Sequence, residues 1–197
     1  SDSVPLAGGA LQVSWYQNDQ QRCQDVLVHF HGHHPTCAKN FHEAALDGAL
    51  VTVNFRGLSS AYKDPFAESP TLFNEVLRHA WDIVHRDQLR SAGEAWETVC
   101  VSSFSAGYGA VRELLKSPTY FQRIDAIVAA DSIYASIVKG SNPRRADPLQ
   151  MKDFRRFAQA ACDGEKTFVV SHTQLVTEYA STFETADDLL SAVGLSR

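Results

Sequence analysis

Short apolar runs alternate along this chain with stretches in which apolar residues recur every three or four positions. Residues 25–31 (DVLVHFH), 49–55 (ALVTVNF), 97–103 (ETVCVSS), 124–130 (IDAIVAA) and 166–170 (KTFVV) read as strands, rich in β-branched and aromatic side chains. Residues 11–16 (LQVSWY) read as a first strand, antiparallel and at an edge. Between them the period changes. Residues 40–46 suit a short helix closed by Gly48. After Ser69-Pro70, a helix start with Ser as cap and Pro at the first position, Phe73, Val76, Leu77, Ala80, Trp81 and Val84 keep helical spacing, and Gly93 ends the element. Residues 106–116 form a helix stopped before Pro118. Residues 151–162 and 186–193 form two more, the last ending at Gly194. Residues 56–69 and 140–148 read as loops.

Strand, helix, strand, helix implies crossover units and a parallel sheet. The strands are near-continuous apolar runs, as strands buried on both faces are. The expected fold class is therefore α/β: one domain over residues 1–197, a three-layer α/β/α sandwich with a mostly parallel sheet. Ligands on such sheets sit beyond the carboxyl ends of the strands, so chemistry is sought there.

Composition narrows the function classes. The chain has 197 residues, 44% of them hydrophobic, and a formal net charge of −5. A mildly acidic chain without a basic block is a poor binder of phosphate backbones, so no nucleic-acid partner is expected. No apolar run reaches about 18 residues, so no membrane span is expected and the protein reads as soluble. The chain begins with Ser and shows no signal peptide; a cytoplasmic protein and a processed secreted form both fit. Cys23, Cys37, Cys100 and Cys162 are too scattered for a disulfide scaffold or a thiolate zinc site, and Cys100, inside an apolar run, reads as a buried thiol.

After the fourth strand, at 97–103, stands Ser103-Phe104-Ser105-Ala106-Gly107. A Ser between a buried strand and a helix start meets free backbone N–H groups and a partial positive charge. Small residues two places either side permit the sharp turn that exposes its hydroxyl. The segment resembles the nucleophile elbow of the α/β-hydrolase superfamily, G-x-S-x-G, with Ser103 in place of the first Gly. The simpler reading makes Ser105 a helix cap. After the second strand stands His31-Gly32-His33-His34-Pro35, which resembles the His-Gly segment of lipases and esterases of that superfamily. Transferred by position, the oxyanion donors are the backbone N–H groups of His33 and Ala106, with Gly32 letting the loop approach the substrate carbonyl.

The superfamily order is Ser, then acid, then His. Asp131 ends the strand at 124–130, and His172, the one histidine downstream of Ser105, ends the strand at 166–170. The resemblance makes Asp131 the orienting acid and His172 the base. Asp163, Asp187 and Asp188 are the other acids on offer and read as solvated charges. Superfamily members usually place another strand beyond the acid-bearing one and deliver the His from there. A base outside these residues, or one drawn from the His31–His34 cluster, thus stays open, as does a turn role for Asp131. His29, His31 and His33 fall on one face of an extended segment and offer a rival metal site, but no second ligating element accompanies them. Tyr62, Tyr108 and Tyr134 are candidate substrate-binding residues. The implied activity is a cofactor-free serine hydrolase cleaving a carboxylic ester of a small acyl substrate. The alternative is a non-catalytic acyl-ligand binding protein on the same fold.

Overall fold

The computed structural model describes residues 2–6, 8–16, 23–86 and 95–196. Seven strands form one sheet: β1 (Asp2–Leu6), β2 (Gly9–Tyr16), β3 (Asp25–Phe30), β4 (Gly48–Asn54), β5 (Thr98–Phe104), β6 (Ala126–Ala130) and β7 (Thr167–Ser171), in the spatial order β1-β2-β4-β3-β5-β6-β7. β1 and β2 pair antiparallel, as do β2 and β4, and β4, β3, β5, β6 and β7 run parallel. The α/β class and the mostly parallel sheet follow the apolar periodicity. β1 was not expected, so β2 is the second strand and not the edge. The helices are α1 (His34–Glu43), α2 (Ser59–Glu68), α3 (Leu72–Val84), α4 (Tyr108–Lys116), α5 (Pro118–Arg123), α6 (Pro148–Cys162) and α7 (Thr182–Ala192).

The helices depart from the sequence reading at α5, which it did not expect, at α6 and α7, which begin three and four residues early, and at three further places. Residues 59–68 are helical, although they carry Pro65. Tyr62 and Phe66, four apart, both bury on one face, and that burial offsets the one bond, to Ala61 O, that Pro65 cannot donate. α3 starts at Leu72, because Ser69 closes α2 by donating its N–H to Pro65 O. α1 begins six residues earlier than expected, with Pro35 in its first turn. The expected stop at Gly93 lies outside the described residues.

Paired residues on neighbouring strands point to the same side of a sheet, so register sorts the two faces. Val28, Val51, Val101, Ile127 and Phe168 share one face. They lie in or against one apolar cluster that also takes residues of α2 to α6, among them Phe66, Phe73, Val111, Tyr120 and Phe154. On the opposite face α1 covers β2 and β4: His34 bonds Ser14 and Thr52, and Phe41 is buried. Farther along that face Val128 and Val169 are 38% and 49% exposed, and Cys100 is partly exposed, not buried as its apolar neighbours suggest. The second helical layer is thus, among the described residues, confined to one end of the sheet. No helix among them is long and apolar enough to cross a membrane.

The histidines expected to form one cluster have separate partners. His29 Nδ1 lies 2.8 Å from Ser102 Oγ, His31 Nδ1 2.8 Å from Tyr62 Oη, and His33 Nδ1 3.1 Å from Thr36 Oγ1. His34 spans two strands, 2.9 Å from Ser14 Oγ and 2.8 Å from Thr52 Oγ1. No metal-binding group of three His, Cys, Asp or Glu side chains forms among the described residues. Burial, the leading cause in each case, holds His29, His31 and His34 below the ordinary imidazole value of 6.5. The unfolded chain titrates them near that value and the folded chain lower. Their contribution to stability is therefore intact above pH 6.5 and is lost as pH falls through the folded values. The urea midpoint should accordingly drop between about pH 7.5 and about pH 5.5, before most carboxylates titrate. His34→Gln should shrink that difference, and an unchanged or rising midpoint on acidification would refute the assignment.

Candidate active site

The parallel register brings the ends of β3, β5, β6 and β7 to one level. Phe30 pairs with Ser103, Phe104 with Ala130, and Ala130 with Ser171. One residue further on, Ser105 stands beside Asp131, and Asp131 beside His172. Gly32 comes level with Ser105 from the other side.

Ser105 has φ +43 and opens a single 3₁₀ turn, Ser105–Gly107, that runs directly into α4. A left-handed non-glycine residue here costs on the order of 1–3 kcal/mol and persists only where the surroundings impose it. Gly107 is part of that imposition. A Cβ built on it would lie 2.2 Å from Phe30 O, so the start of α4 is drawn onto the end of β3 by backbone contact that a side chain forbids. Ser105 Oγ makes no hydrogen bond among the described residues and opens into a pocket of about 290 Å3. Tyr108, Tyr134, Tyr179 and Leu58 supply the apolar wall of that pocket; Ser136 and Gln150 supply a polar one. The tyrosines brace one another, with ring centroids 5.6 Å apart for Tyr108–Tyr134 and 5.3 Å for Tyr134–Tyr179. Arg112 stacks over Tyr108 at 4.8 Å and donates to Tyr134 O. Burial, with Asp131 nearby, pushes the Tyr134 phenol up to about 12, so it stays a neutral donor.

Tyr108 and Tyr134 therefore line the pocket, as expected, but Tyr62 does not. Tyr62 is 1% exposed, and its hydroxyl is engaged with Phe55 N and O and with His31 Nδ1. It is a core residue that fixes the end of β3 from below. It is buried by α2, in a segment whose Gly57, Pro65 and paired serines predict an exposed loop. Tyr179 and Leu58 take its place at the pocket.

The helix start at Ser105–Ala106 lines the pocket, whereas His33, the N-cap of α1, is not among its lining residues. No N-cap side chain bonds the first N–H groups of either helix; in α1 Pro35 has none and Thr36 N–H and Cys37 N–H are taken by His33 O. Gly32 is held by local contacts. Its N–H donates to Asn54 Oδ1 at 3.0 Å, and a Cβ on it would lie 2.5 Å from His29 Nε2 and 2.7 Å from Cys37 Sγ. The absence of a side chain there serves packing beneath the loop.

The acid and base expected from chain order are adjacent but unconnected. Asp131, with φ +41, accepts through Oδ1 from Thr182 Oγ1 at 2.6 Å, Thr173 Oγ1 at 3.0 Å and Thr173 N at 3.2 Å. Burial works to raise its carboxyl. Those bonds, with the His172 imidazole nearby, outweigh burial and hold it below the ordinary carboxylate value. The carboxylate thus ties β6 to the segment after β7 and to the start of α7. Among the described residues His172 bonds Thr173 O alone, at 3.4 Å, and it lines a separate groove of about 600 Å3 with Phe168, Val170, Leu189 and Leu190. Alternation along β7 puts Phe168, Val170 and His172 on one side, which turns the imidazole toward α6 and α7.

Sequence reasoning passed over Ser132. It is fully buried, its Oγ donates to Ser105 O at 3.0 Å, and it lies 2.9 Å from Ser103 Oγ. The one available signal was its place next to Asp131 at a strand end. Gly107→Ala should cost upward of about 2 kcal/mol, because backbone must move to admit the methyl group; a urea midpoint within error of the parent would contradict the close approach. No protein-family model matches the chain, and no curated protein does. Among solved structures, the crystal structure of DphMB1 is similar to it at a TM-score of 0.46 and 16% identity, over 66% of this chain and 43% of that one. The chain thus spans less than half the length of that protein, and the likeness is too weak to bear on function.

Proposed function

We propose that this chain is a serine hydrolase of α/β-hydrolase type that cleaves a carboxylic ester, with Ser105 as nucleophile. The observation that carries the reading is Ser105 itself: a left-handed residue at the end of a buried parallel strand, at the start of a helix, with its hydroxyl unbonded and open to a pocket. In this reading Ser105 Oγ attacks the ester carbonyl carbon. The carbonyl oxygen becomes an oxyanion, met by the N–H groups of Ala106 and His33. The alcohol leaves with a proton, and water then releases the acid from the acyl-enzyme. The tyrosine wall receives the acyl or alkoxy group.

The proton acceptor is assigned to no residue. His172 faces another groove, and Asp131 is committed to Thr173 and Thr182. Asp131 serves here to position the segment that carries Tyr179. The second reading, a binding site for an acyl ligand without turnover, draws on the same observation: no imidazole touches Ser105 Oγ among the described residues.

Incubation with a fluorophosphonate, intact mass and peptide mapping test the reading. A single adduct on Ser105, lost in Ser105→Ala together with hydrolysis of a short p-nitrophenyl ester, is the expected result. A folded parent that forms no adduct yet binds an acyl ligand would favour the second reading. His172→Ala should leave the labelling rate within about twofold, since the side chain does not reach the nucleophile; a loss on the order of 100-fold or more, the size of a general-base contribution, would restore it as the base.

A further inference from the structure

We propose that Ser103 and Ser132 are positioning residues that aim the Ala106 N–H at the oxyanion. The inference rests on the reading of Ser105 as nucleophile. The two hydroxyls form a directed chain. Ser132 Oγ donates its one proton to Ser105 O at 3.0 Å, so at 2.9 Å it receives a bond from Ser103 Oγ. Both side chains are sealed from solvent, at 1% exposure for Ser103 and none for Ser132. Water therefore cannot stand in for either bond.

The consequence lies in the geometry of a trans peptide. The carbonyl of Ser105 and the N–H of Ala106 belong to one plane and point in opposite directions. Pinning the carbonyl inward, on Ser132, turns the N–H outward toward the crevice. The Ser105 carbonyl also accepts from Tyr108 N–H, so both of its lone pairs are used and the plane is held from two sides. A carbonyl that accepts hydrogen bonds makes the N–H of its own peptide a stronger donor, and the Ser103 hydroxyl strengthens the Ser132 bond in the same sense.

This also accounts for the departure from the elbow pattern. A Gly at position 103 would leave Ser132 without its donor. Ser103 takes no part in the left-handed turn, which falls at Ser105, and it keeps ordinary strand pairing with Phe30 and Ala129. Its side chain is thus tolerated by the backbone and used as the outer link of the chain.

The test compares the parent with Ser132→Ala, Ser103→Ala and Ser103→Gly, the last restoring the superfamily pattern. Three quantities are measured: the second-order rate of fluorophosphonate labelling at Ser105, kcat and KM on a short p-nitrophenyl ester, and the ¹⁵N–¹H resonance of Ala106. Ser132→Ala should lower the labelling rate and kcat about tenfold, less than the roughly 100- to 1,000-fold of deleting an oxyanion donor, with KM within about twofold. Both Ser103 variants should fall about threefold, and the Ala106 resonance should move in all three. A merely structural role would shift the melting temperature and leave the kcat-to-KM split and the Ala106 amide unmoved. Folded variants that label at the parental rate, or an unmoved Ala106 resonance, would overturn the proposal. A parent that does not label at all would overturn the nucleophile reading and this inference with it, whereas loss confined to the variants leaves that reading standing.

Discussion

The site depends on how closely α4 approaches the sheet. Gly107 lets the turn after β5 seat its backbone against Phe30 O, at a distance where no Cβ fits. With α4 held there and β5 held by its pairing to β3 and β6, the chain has three residues in which to pass from extended to helical backbone. The left-handed conformation falls on Ser105 because that is where the direction must reverse. Its cost is met by the packing on either side, where Val101 and Ala129 below the turn and Ala110 and Val111 beyond it are all buried. The strain is thus a product of sheet pairing and helix seating, and the exposed hydroxyl is its result.

The same strand ends collect charge-sensitive backbone. Two adjacent parallel strands, β3 and β5, are followed by helix starts at the same edge of the sheet, and the one after β5 lines the pocket. Parallel strands put such starts at the same edge of the sheet, and the partial positive charge of the α4 start falls at half-buried Ser105. Asp131 stands at the same edge as an anion, kept ionised by three bonds from Thr173 and Thr182 to its Oδ1. The carboxylate is spent on holding the segment after β7, which presents Tyr179 to the pocket.

Hydroxyl–imidazole pairs recur through the fold with a different purpose. Ser102 with His29, Tyr62 with His31, and Ser14 and Thr52 with His34 each satisfy a shielded ring nitrogen between elements. They stitch strands to one another and to helices, and burial keeps the rings neutral. A chain with several Ser and His residues close together thus contains no imidazole bonded to Ser105 among the described residues.

The strand runs, the parallel sheet and the strand-to-helix turn at Ser105 were legible in the sequence because each is local: a period of two or of about 3.6, and a Ser bracketed by small residues between two such patterns. Chain order likewise placed Asp131 and His172 at neighbouring strand ends, since parallel register carries spacing directly into space. What chain order leaves open is which way a side chain turns and which partner reaches it first. Alternation along β7 sent His172 toward α6 and α7, and Thr182, 51 residues from Asp131 along the chain, took the carboxylate. Tyr62 became core because α2 formed around Pro65 once Tyr62 and Phe66 had an apolar face to meet. Ser132 bonded Ser105 O only because β5 and β6 pair in a register that brings them together. These outcomes rest on contacts between residues far apart in sequence, and such contacts exist only after the chain has packed.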